Sequence, residues 1–157
     1  MTNSIIIFSA KYLYLVAAAI YAAYFLITPK RKKVDFVMLT VVALPVIFLL
    51  SRILSRLYFD PRPFVVGHFT PLIPHAADNG FPSDHALLTG ALAAVMYFLN
   101  KKTSTALWLL ALAVGAARVA AGIHHWTDIF GGFAIAIAGA IIAEYVLRRQ
   151  RLFAYKS

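Results

Sequence analysis

Long apolar stretches dominate this chain and limit what it can fold into. Five of them lie at about residues 4–28, 36–57, 84–99, 104–121 and 128–147. A helix needs about 20 apolar residues to cross the hydrocarbon core of a bilayer, so runs of this length predict membrane-spanning helices. The alternating pattern of a membrane β-barrel is not seen. We therefore predict an all-α, polytopic helical membrane bundle with about five transmembrane helices.

The composition agrees with this prediction. Of the 157 residues, 62% are hydrophobic and only 13% are charged, which leaves too little polar surface for a soluble domain of this size. No cysteine occurs, so disulfides and thiolate metal sites are excluded. Because no linker, repeat or low-complexity stretch is visible, residues 1–157 are expected to form a single domain with a motif-bearing core at about residues 50–145.

The net charge of +9 is explained by membrane topology better than by nucleic-acid binding. Basic clusters follow the first, third and fifth apolar stretches. They lie on one side if the chain crosses five times, and the positive-inside rule makes that side cytoplasmic. We predict an N-terminus outside, a C-terminus in the cytoplasm, and outer loops at 58–83 and 122–127. The clusters comprise Lys30, Arg31, Lys32, Lys33, Lys101, Lys102, Arg148, Arg149, Arg151 and Lys156.

The first apolar stretch has a second interpretation, a signal peptide. Signal peptides carry positive charge before the apolar region and end in a small-residue cleavage site. Here the charge follows the apolar region and no such site is obvious, so a spanning helix is favoured.

Three short polar clusters interrupt the apolar stretches at the predicted outer face. They are Arg62-Pro63, then Pro82-Ser83-Asp84-His85, then Arg118 with His124 and Asp128. An arginine within a span costs roughly 2.5–3.5 kcal/mol unless it is paired or hydrated. Arg118 therefore marks either a function or a structural ion pair to Asp128 or Asp84. Together, guanidinium groups, imidazoles and a carboxylate suit binding a phosphate, attacking it and protonating the leaving group.

Local spacing suggests how these side chains would work. His124 and Asp128 are four residues apart, so a turn or helix lets the carboxylate reach one imidazole nitrogen and leaves the other free as a nucleophile. Such a pair alone is often a capping interaction. Gly122 is expected to end the fourth helix, and Thr127 or Asp128 to cap the fifth. Ser83 is a suitable N-cap for the third, where free N–H groups also bind anions.

The three clusters resemble the signature of the type 2 phosphatidic acid phosphatase superfamily of membrane lipid phosphatases. That signature reads Lys-x6-Arg-Pro, Pro-Ser-Gly-His and Ser-Arg-x5-His-x3-Asp. The segment Tyr58–Phe64 and the form Pro-Ser-Asp-His are similar to undecaprenyl-diphosphate phosphatases of the bacitracin-resistance type. The resemblance implies that His124 is the phosphorylated nucleophile, oriented by Asp128, and that His85 is the general acid and later the base. It implies that the phosphate is held by Arg62, Arg118 and Ser83.

The chain departs from this signature at several positions. The lysine of the first part would fall at Ser55, and Arg56, one residue closer, is expected to replace it. Ala117 stands in place of the serine before Arg118. Asp84 stands in place of the glycine, and we include it with Arg56 in the expected phosphate site because its carboxylate can tune a neighbouring histidine. The family usually has one more span than the five counted here.

The resemblance implies a hydrolase that converts undecaprenyl diphosphate to undecaprenyl phosphate and inorganic phosphate at the outer face of the cell membrane, without a metal or cofactor. The expected partners are the lipid phosphate substrate and membrane lipids, not nucleic acid, and the oligomeric state stays open. Such an enzyme would recycle the carrier lipid of peptidoglycan synthesis, and its loss would sensitise a cell to bacitracin. Phosphatidylglycerol phosphate and phosphatidic acid are the alternative substrates.

Two other classes of function also fit parts of this sequence. The five histidines raise the possibility of a metal site, but no metal-binding helical pair such as HExxH occurs, and His68 and His75 are loosely spaced. His125 is interpreted as an interface residue, because the motif spacing selects His124. A non-enzymatic scaffold or a small transporter is the other class. A transporter would carry its ionisable residues near mid-membrane or on broken helices, whereas here they gather at one interface.

Overall fold

In a computed structural model the described part of the chain forms five long helices and one short one. The structure describes the backbone of residues 2–154 and the side chains of residues 2–150. No strand occurs in the described range beyond an isolated bridge between Pro61 and Asn79. The predicted all-α helical bundle is thus confirmed. The helices are α1 (Thr2–Ile27), α2 (Lys30–Leu57), α3 (Pro63–Val66), α4 (Asp84–Leu99), α5 (Lys101–Ala120) and α6 (Trp126–Ala154).

Four of these helices can cross a bilayer by length and composition: α1, α2, α5 and the Trp126–Gln150 part of α6. The remaining long helix, α4, has only 16 residues. It contacts all four of the others, and every residue from 91 to 96 is buried. Because protein surrounds much of α4 and its backbone groups are paired within the helix, it does not need to match the bilayer on its own. The number of crossings and their direction stay predictions.

The outer surface of the bundle is apolar, as contact with lipid requires. Ile27 is 80% exposed, Leu57 is 77% exposed and Leu26 is 71% exposed, and large hydrophobic side chains are exposed along α1, α2, α5 and α6. A soluble protein rarely exposes apolar surface on this scale. The chain is an integral membrane protein.

Small residues let the helices approach closely. Ala136, Ala140 and Ala143 on α6 are at most 1% exposed. A Cβ added at Gly139 would collide with Ile47 of α2. Close backbone approach of this kind is the usual packing mode between helices in membranes, where van der Waals contact replaces the hydrophobic effect.

The helices alternate in direction, which gives the bundle two ends. The α1–α2 and α4–α5 junctions, with their lysines, lie at one end. At the other end lie the loop at 58–83, the first turn of α4, the last turn of α5 and the first turn of α6. All three polar clusters of the sequence are therefore carried to the same end of the bundle.

Candidate active site

The side chain of Asn79 holds the loop between α2 and α4. Its Oδ1 accepts hydrogen bonds from the backbone N–H of Asp60 at 2.9 Å and of Phe81 at 3.0 Å. Its Nδ2 donates to the carbonyl of Ser55 at 2.9 Å. Since one side chain joins both ends of the loop to the last turns of α2, the loop folds back over the bundle and carries Arg62 inward.

Arg62 is buried in this arrangement, at 5% exposure. Its Nε donates to Asp78 Oδ1 at 2.7 Å, and its Nη1 donates to the carbonyl of Ile123 at 2.9 Å. The same Nη1 lies 3.3 Å from Nε2 of His124. Burial raises the pKa of Asp78, but the hydrogen bond and charge of Arg62 outweigh it and hold that pKa below its usual range. Arg62 is thus fixed from both sides and directed at His124.

A glycine turn places His124 at the end of the bundle. The helix α5 ends at Ala120, and Gly122 has a φ of +76°, a left-handed conformation that glycine adopts without strain. The ring of Phe69 occupies the space into which a Cβ at Gly122 would project. The expectation that Gly122 ends this helix is confirmed. The turn brings His124 back against the bundle with only 2% of its surface exposed.

Asp128 binds both His124 and the start of α6. Its Oδ2 lies 3.1 Å from His124 Nδ1 and accepts a hydrogen bond from the backbone N–H of His125 at 2.9 Å. Because α6 begins at Trp126, His125 is the N-cap and Asp128 is the third helical residue, which is the carboxylate half of a capping box. Asp128 caps the helix as expected, but from within its first turn. The carboxylate makes Nδ1 the protonated nitrogen, so Nε2 carries the lone pair.

Arg118 approaches the same nitrogen from the other side. Its Nη2 lies 3.3 Å from His124 Nε2, and its Nη1 donates to the carbonyl of Ala10 in α1 at 3.3 Å. It is 6% exposed, and its Nε has no hydrogen-bond partner within the described residues. The sequence allowed a structural ion pair between Arg118 and either Asp128 or Asp84. Neither pair is formed among the described residues. Two guanidinium groups therefore converge on the free nitrogen of His124.

Ser83 and His85 lie at the start of α4, beside this cluster. Ser83 is the N-cap by position, but its hydroxyl makes no capping bond; it is fully buried and unpartnered among the described residues. His85 is half-buried. Its ring makes an edge-to-face contact with the ring of Tyr14 in α1, and the two ring centroids are 4.7 Å apart. His85 makes no hydrogen bond to His124 in the described structure, yet it lies within electrostatic range of His124 and Arg118.

These elements enclose a polar cavity of about 250 Å³. Four predicted site residues line it. Ser83 and Asp128 are fully buried and, like His85, are not among the lining residues. Ser51, Arg52 and Ser55 form the wall contributed by α2. The full lining consists of Ser51, Arg52, Ser55, Arg62, His75, Asp78, Asn79, Phe81, Pro82, Asp84, Arg118 and His124.

The expected role of Arg56 is not supported by its position. Arg56 is exposed and does not line the cavity, whereas Arg52 does. Both side chains are exposed and lie one turn apart on α2, but only Arg52 belongs to the wall that it forms with Ser51 and Ser55. Arg52, not Arg56, is thus the basic residue of α2 that lines the cavity.

Sequence reasoning also missed two side chains. The sequence marks His75 only as a loosely spaced metal ligand. In the structure its Nε2 lies 3.4 Å from Arg118 Nη2, and its ring centroid lies 6.1 Å from that of His124. Tyr14 was hidden within the first apolar stretch. No signal in a single sequence marks Tyr14, because a tyrosine in a span is ordinary; His75 stood out only as a histidine in the same outer loop as Arg62.

The two loop histidines are held neutral near physiological pH. Burial lowers the pKa of His75, and the charges of Arg62 and Arg118 lower it further. Burial also lowers the pKa of His124, and the positive charges of the two arginines lower it further. The hydrogen bond to Asp128 acts in the opposite direction but does not outweigh them. A neutral His124 with its lone pair on Nε2 is a competent nucleophile, and it is placed where an anion between the arginines would be.

A group of possible metal ligands lies next to the cluster. Asp60, His125 and Asp128 each offer one ligand atom, and these atoms lie within 4.8 Å of one another. The Oδ1 of Asp128 and the Nδ1 of His125 are buried without a hydrogen-bond partner in the described residues, and His125 Nδ1 lies 3.4 Å from Asp60 Oδ1. However, Asp60 also accepts a hydrogen bond from Thr127 Oγ1 at 2.9 Å, so it has a structural role without any ion.

Comparison with known proteins identifies the family. Residues 36–152 match the model of the PAP2 superfamily. The chain belongs to the PAP2 superfamily. It is 36% identical over 137 residues to the undecaprenyl-diphosphatase BcrC of Bacillus subtilis, covering 86% of this chain and 69% of that protein. It is 32% identical over 143 residues to a protein of Bacillus licheniformis named bacitracin transport permease protein BcrC, covering 90% and 70%.

A solved structure confirms the fold of this PAP2 chain. The crystal structure of Aquifex aeolicus LpxE superposes with a TM-score of 0.73 over 92% of this chain and 86% of that one, at 24% sequence identity. The family match confirms the resemblance carried by the three polar clusters, and the family and its relatives support a membrane lipid phosphatase.

Proposed function

We propose that this PAP2 protein hydrolyses undecaprenyl diphosphate to undecaprenyl phosphate and inorganic phosphate, through a phosphohistidine formed on His124. One observation carries the proposal: Nδ1 of His124 is bound by a carboxylate while Nε2 lies 3.3 Å from both Arg62 and Arg118. A phosphoryl group between these arginines would have its charge neutralised and its phosphorus next to the nucleophile. The substrate is chosen because the Bacillus subtilis relative bears that activity in its name.

Each step can be assigned to a side chain. His124 Nε2 attacks the terminal phosphorus, and the bond from phosphorus to the bridging oxygen breaks, so the lipid phosphate leaves with the electron pair. Arg62 and Arg118 stabilise the charge on the transferred oxygens, which is the main contribution a protein makes to phosphoryl transfer. Asp128 stabilises the positive charge that develops on the imidazole. His85 gives a proton to the leaving group and then removes one from the water that cleaves the phosphohistidine.

Buried groups at the start of α4 complete the phosphate site. The unpartnered hydroxyl of Ser83 is free to donate to a phosphoryl oxygen, and the helix start favours negative charge. Since arginines and a helix end supply the positive charge, the proposed reaction needs no metal. In this proposal the cluster of Asp60, His125 and Asp128 is structural.

The route of the lipid tail supports a lipid substrate. An apolar groove of about 330 Å³ lies between α2 and α4, lined mainly by Leu44, Ile47, Phe48, Leu87 and Leu88. Asp84 lines both this groove and the polar cavity, so the two spaces meet at that residue. A tail in the groove would place its head group in the cavity, as expected for an amphiphile taken from the bilayer.

The active site is proposed to face the outside of the cell. The basic clusters of the sequence lie at the opposite end of the bundle, and positive charge favours the cytoplasmic side. This would give the N-out, C-in topology and place the reaction in the outer leaflet of the cell membrane.

A transporter is the competing class, because the Bacillus licheniformis relative is named a transport permease. A secondary transporter places its ionisable groups at the bilayer midplane on broken helices. In this chain the ionisable site residues lie at one end, on the ends of helices and in the loops that join them. That placement favours hydrolysis at an interface.

The test is phosphate release by purified protein in detergent, with undecaprenyl diphosphate as the substrate and EDTA present. We expect release by the wild type and loss of at least about a thousandfold in His124→Ala, as for removal of a nucleophile. Release that stops with EDTA would refute metal independence, and full activity in His124→Ala would refute the nucleophile. Release only from phosphatidylglycerol phosphate or phosphatidic acid would replace the substrate.

A further inference from the structure

Arg52 is a free cation in the wall of the polar cavity. Among the described residues it forms no hydrogen bond or ion pair, whereas Arg62 is paired with Asp78 and Arg118 binds Ala10 and His75. Its side chain is exposed, so it is accessible to an anion that enters the cavity.

The position of Arg52 relative to the tail groove gives it a specific neighbour. Along α2, Ile47 and Phe48 line the groove, and Ser51, Arg52 and Ser55 line the polar cavity. These residues recur at spacings of three and four, so they form one continuous face of the helix. A molecule lying along this face passes from apolar contact to Arg52 about one turn later, before it reaches the arginines around His124.

We infer that Arg52, with Ser51 and Ser55 beside it, forms a second phosphate site that holds the lipid-linked phosphate of a diphosphate. The terminal phosphate lies between Arg62 and Arg118, where His124 attacks it. When the bond to the bridging oxygen breaks, the electron pair goes to the lipid phosphate, and Arg52 stabilises that negative charge. The inference rests on the proposed function and explains how the site distinguishes a diphosphate from a monophosphate.

The charges that line the cavity are consistent with two anionic groups. Three arginines face it, Arg52, Arg62 and Arg118, against the two carboxylates of Asp78 and Asp84. Asp78 is committed to Arg62 at 2.7 Å. Because Asp78 neutralises part of the charge of Arg62, we assign Arg62 and Arg118 together to the terminal phosphate. Arg52 is then available for the phosphate next to the tail.

The chain offers a matched control. Arg56 lies on the same helix one turn later, carries the same charge and is exposed like Arg52, but it does not line the cavity. Any effect of lost surface charge on folding, detergent binding or substrate attraction should appear in Arg56→Ala as well as in Arg52→Ala. Arg52→Lys keeps the charge but not the planar guanidinium, so it should restore part of the activity.

The experiment compares kcat/KM for farnesyl diphosphate and farnesyl phosphate, which share one tail and differ by one phosphate. We expect Arg52→Ala to lower kcat/KM for the diphosphate by roughly tenfold to a hundredfold, the usual effect of losing a charge-assisted hydrogen bond. The monophosphate, whose only phosphate must lie at His124 to react, should change by less than about threefold. Arg56→Ala should leave both unchanged.

Equal losses on both substrates would mean that Arg52 serves the transferred phosphoryl group, and the inference would be overturned; no loss on either would do the same. If the wild type does not turn over farnesyl phosphate, the inhibition constant of inorganic phosphate takes its place and should also move by less than about threefold in Arg52→Ala. A wild type that hydrolyses monophosphates but no diphosphate overturns the proposed function itself, a result distinct from both.

Discussion

Asp128 offers the sharpest test of how the site works, because its carboxylate does two separable things. It accepts hydrogen bonds from His124 Nδ1 and from the backbone of His125, and it supplies a negative charge 3.1 Å from the imidazole. Asp128→Asn keeps an oxygen that can accept both bonds but removes the charge. Asp128→Ala removes both. We expect the two variants to differ in stability and in activity in ways that follow from these contacts.

The expected loss of activity in Asp128→Asn is electrostatic. A full positive charge on the imidazole at this distance gains about 5 kcal/mol at an effective dielectric constant of about 20. With the charge half developed in the transition state, the gain is about 2–3 kcal/mol, which corresponds to roughly 30–150-fold in rate. The expected effect of Asp128→Asn is therefore a decrease in kcat of about two orders of magnitude, with little change in KM.

The expected loss of stability belongs to Asp128→Ala. Two buried donors, Nδ1 of His124 and the N–H of His125, lose their acceptor, and each unsatisfied group costs about 1–3 kcal/mol. Asp128 itself has no exposed surface, so water does not easily replace it. We expect Asp128→Ala to lower the free energy of unfolding by about 2–6 kcal/mol, and Asp128→Asn by about 1 kcal/mol or less.

Two measurements separate these effects: the melting temperature of the purified protein in detergent, and steady-state kinetics of phosphate release. If Asp128→Asn retains wild-type kcat, no positive charge develops on His124 and the nucleophile assignment falls. If Asp128→Ala melts at the same temperature as Asp128→Asn, the capping and orienting bonds contribute nothing, and the geometric argument for the site is wrong.

Two further predictions concern the histidines. Tyr14→Leu should lower kcat by about two- to tenfold, because the edge contact that positions His85 is worth about 0.5–1.5 kcal/mol. Tyr14→Phe keeps the ring and should keep kcat. Equal kcat in the two variants would remove the positioning role. The acidic limb of the pH profile of kcat/KM should have its midpoint below 6.5, since burial and two arginines lower the pKa of His124 below that value. The same shift makes the unfolded chain bind protons first, so stability should fall as the pH drops below about 6.5. A midpoint above 6.5 would contradict this environment for His124.

Much of the site was predictable because its residues are close in the sequence. The pairing of His124 with Asp128 follows from four-residue spacing at a helix start, and Gly122 marks the turn before them. The position of Ser83 before the first residue of α4 was predictable for the same reason, although its hydroxyl makes no capping bond. These features depend on local backbone geometry, which a single sequence carries.

The choice between Arg52 and Arg56 was not predictable from the motif. Spacing to Arg62 favoured Arg56, but the loop at 58–83 does not extend the helix; Asn79 folds it back onto Ser55. The face of α2 that meets the cavity is then set by that long-range contact and by packing against α6. Sequence distance along a helix followed by a loop does not report which side chain reaches the site.

The sequence by itself determined the class of protein, its helices and the chemical groups available, because a helix in a bilayer satisfies its own backbone and is recorded in local hydropathy. It also grouped the polar clusters on one face through the number of apolar stretches. Only the tertiary structure decided which groups meet. Ala10 and Tyr14 join the site from α1, His75 from the loop and Arg52 from α2, since contacts between residues far apart in the chain arise from packing, on which no local pattern reports.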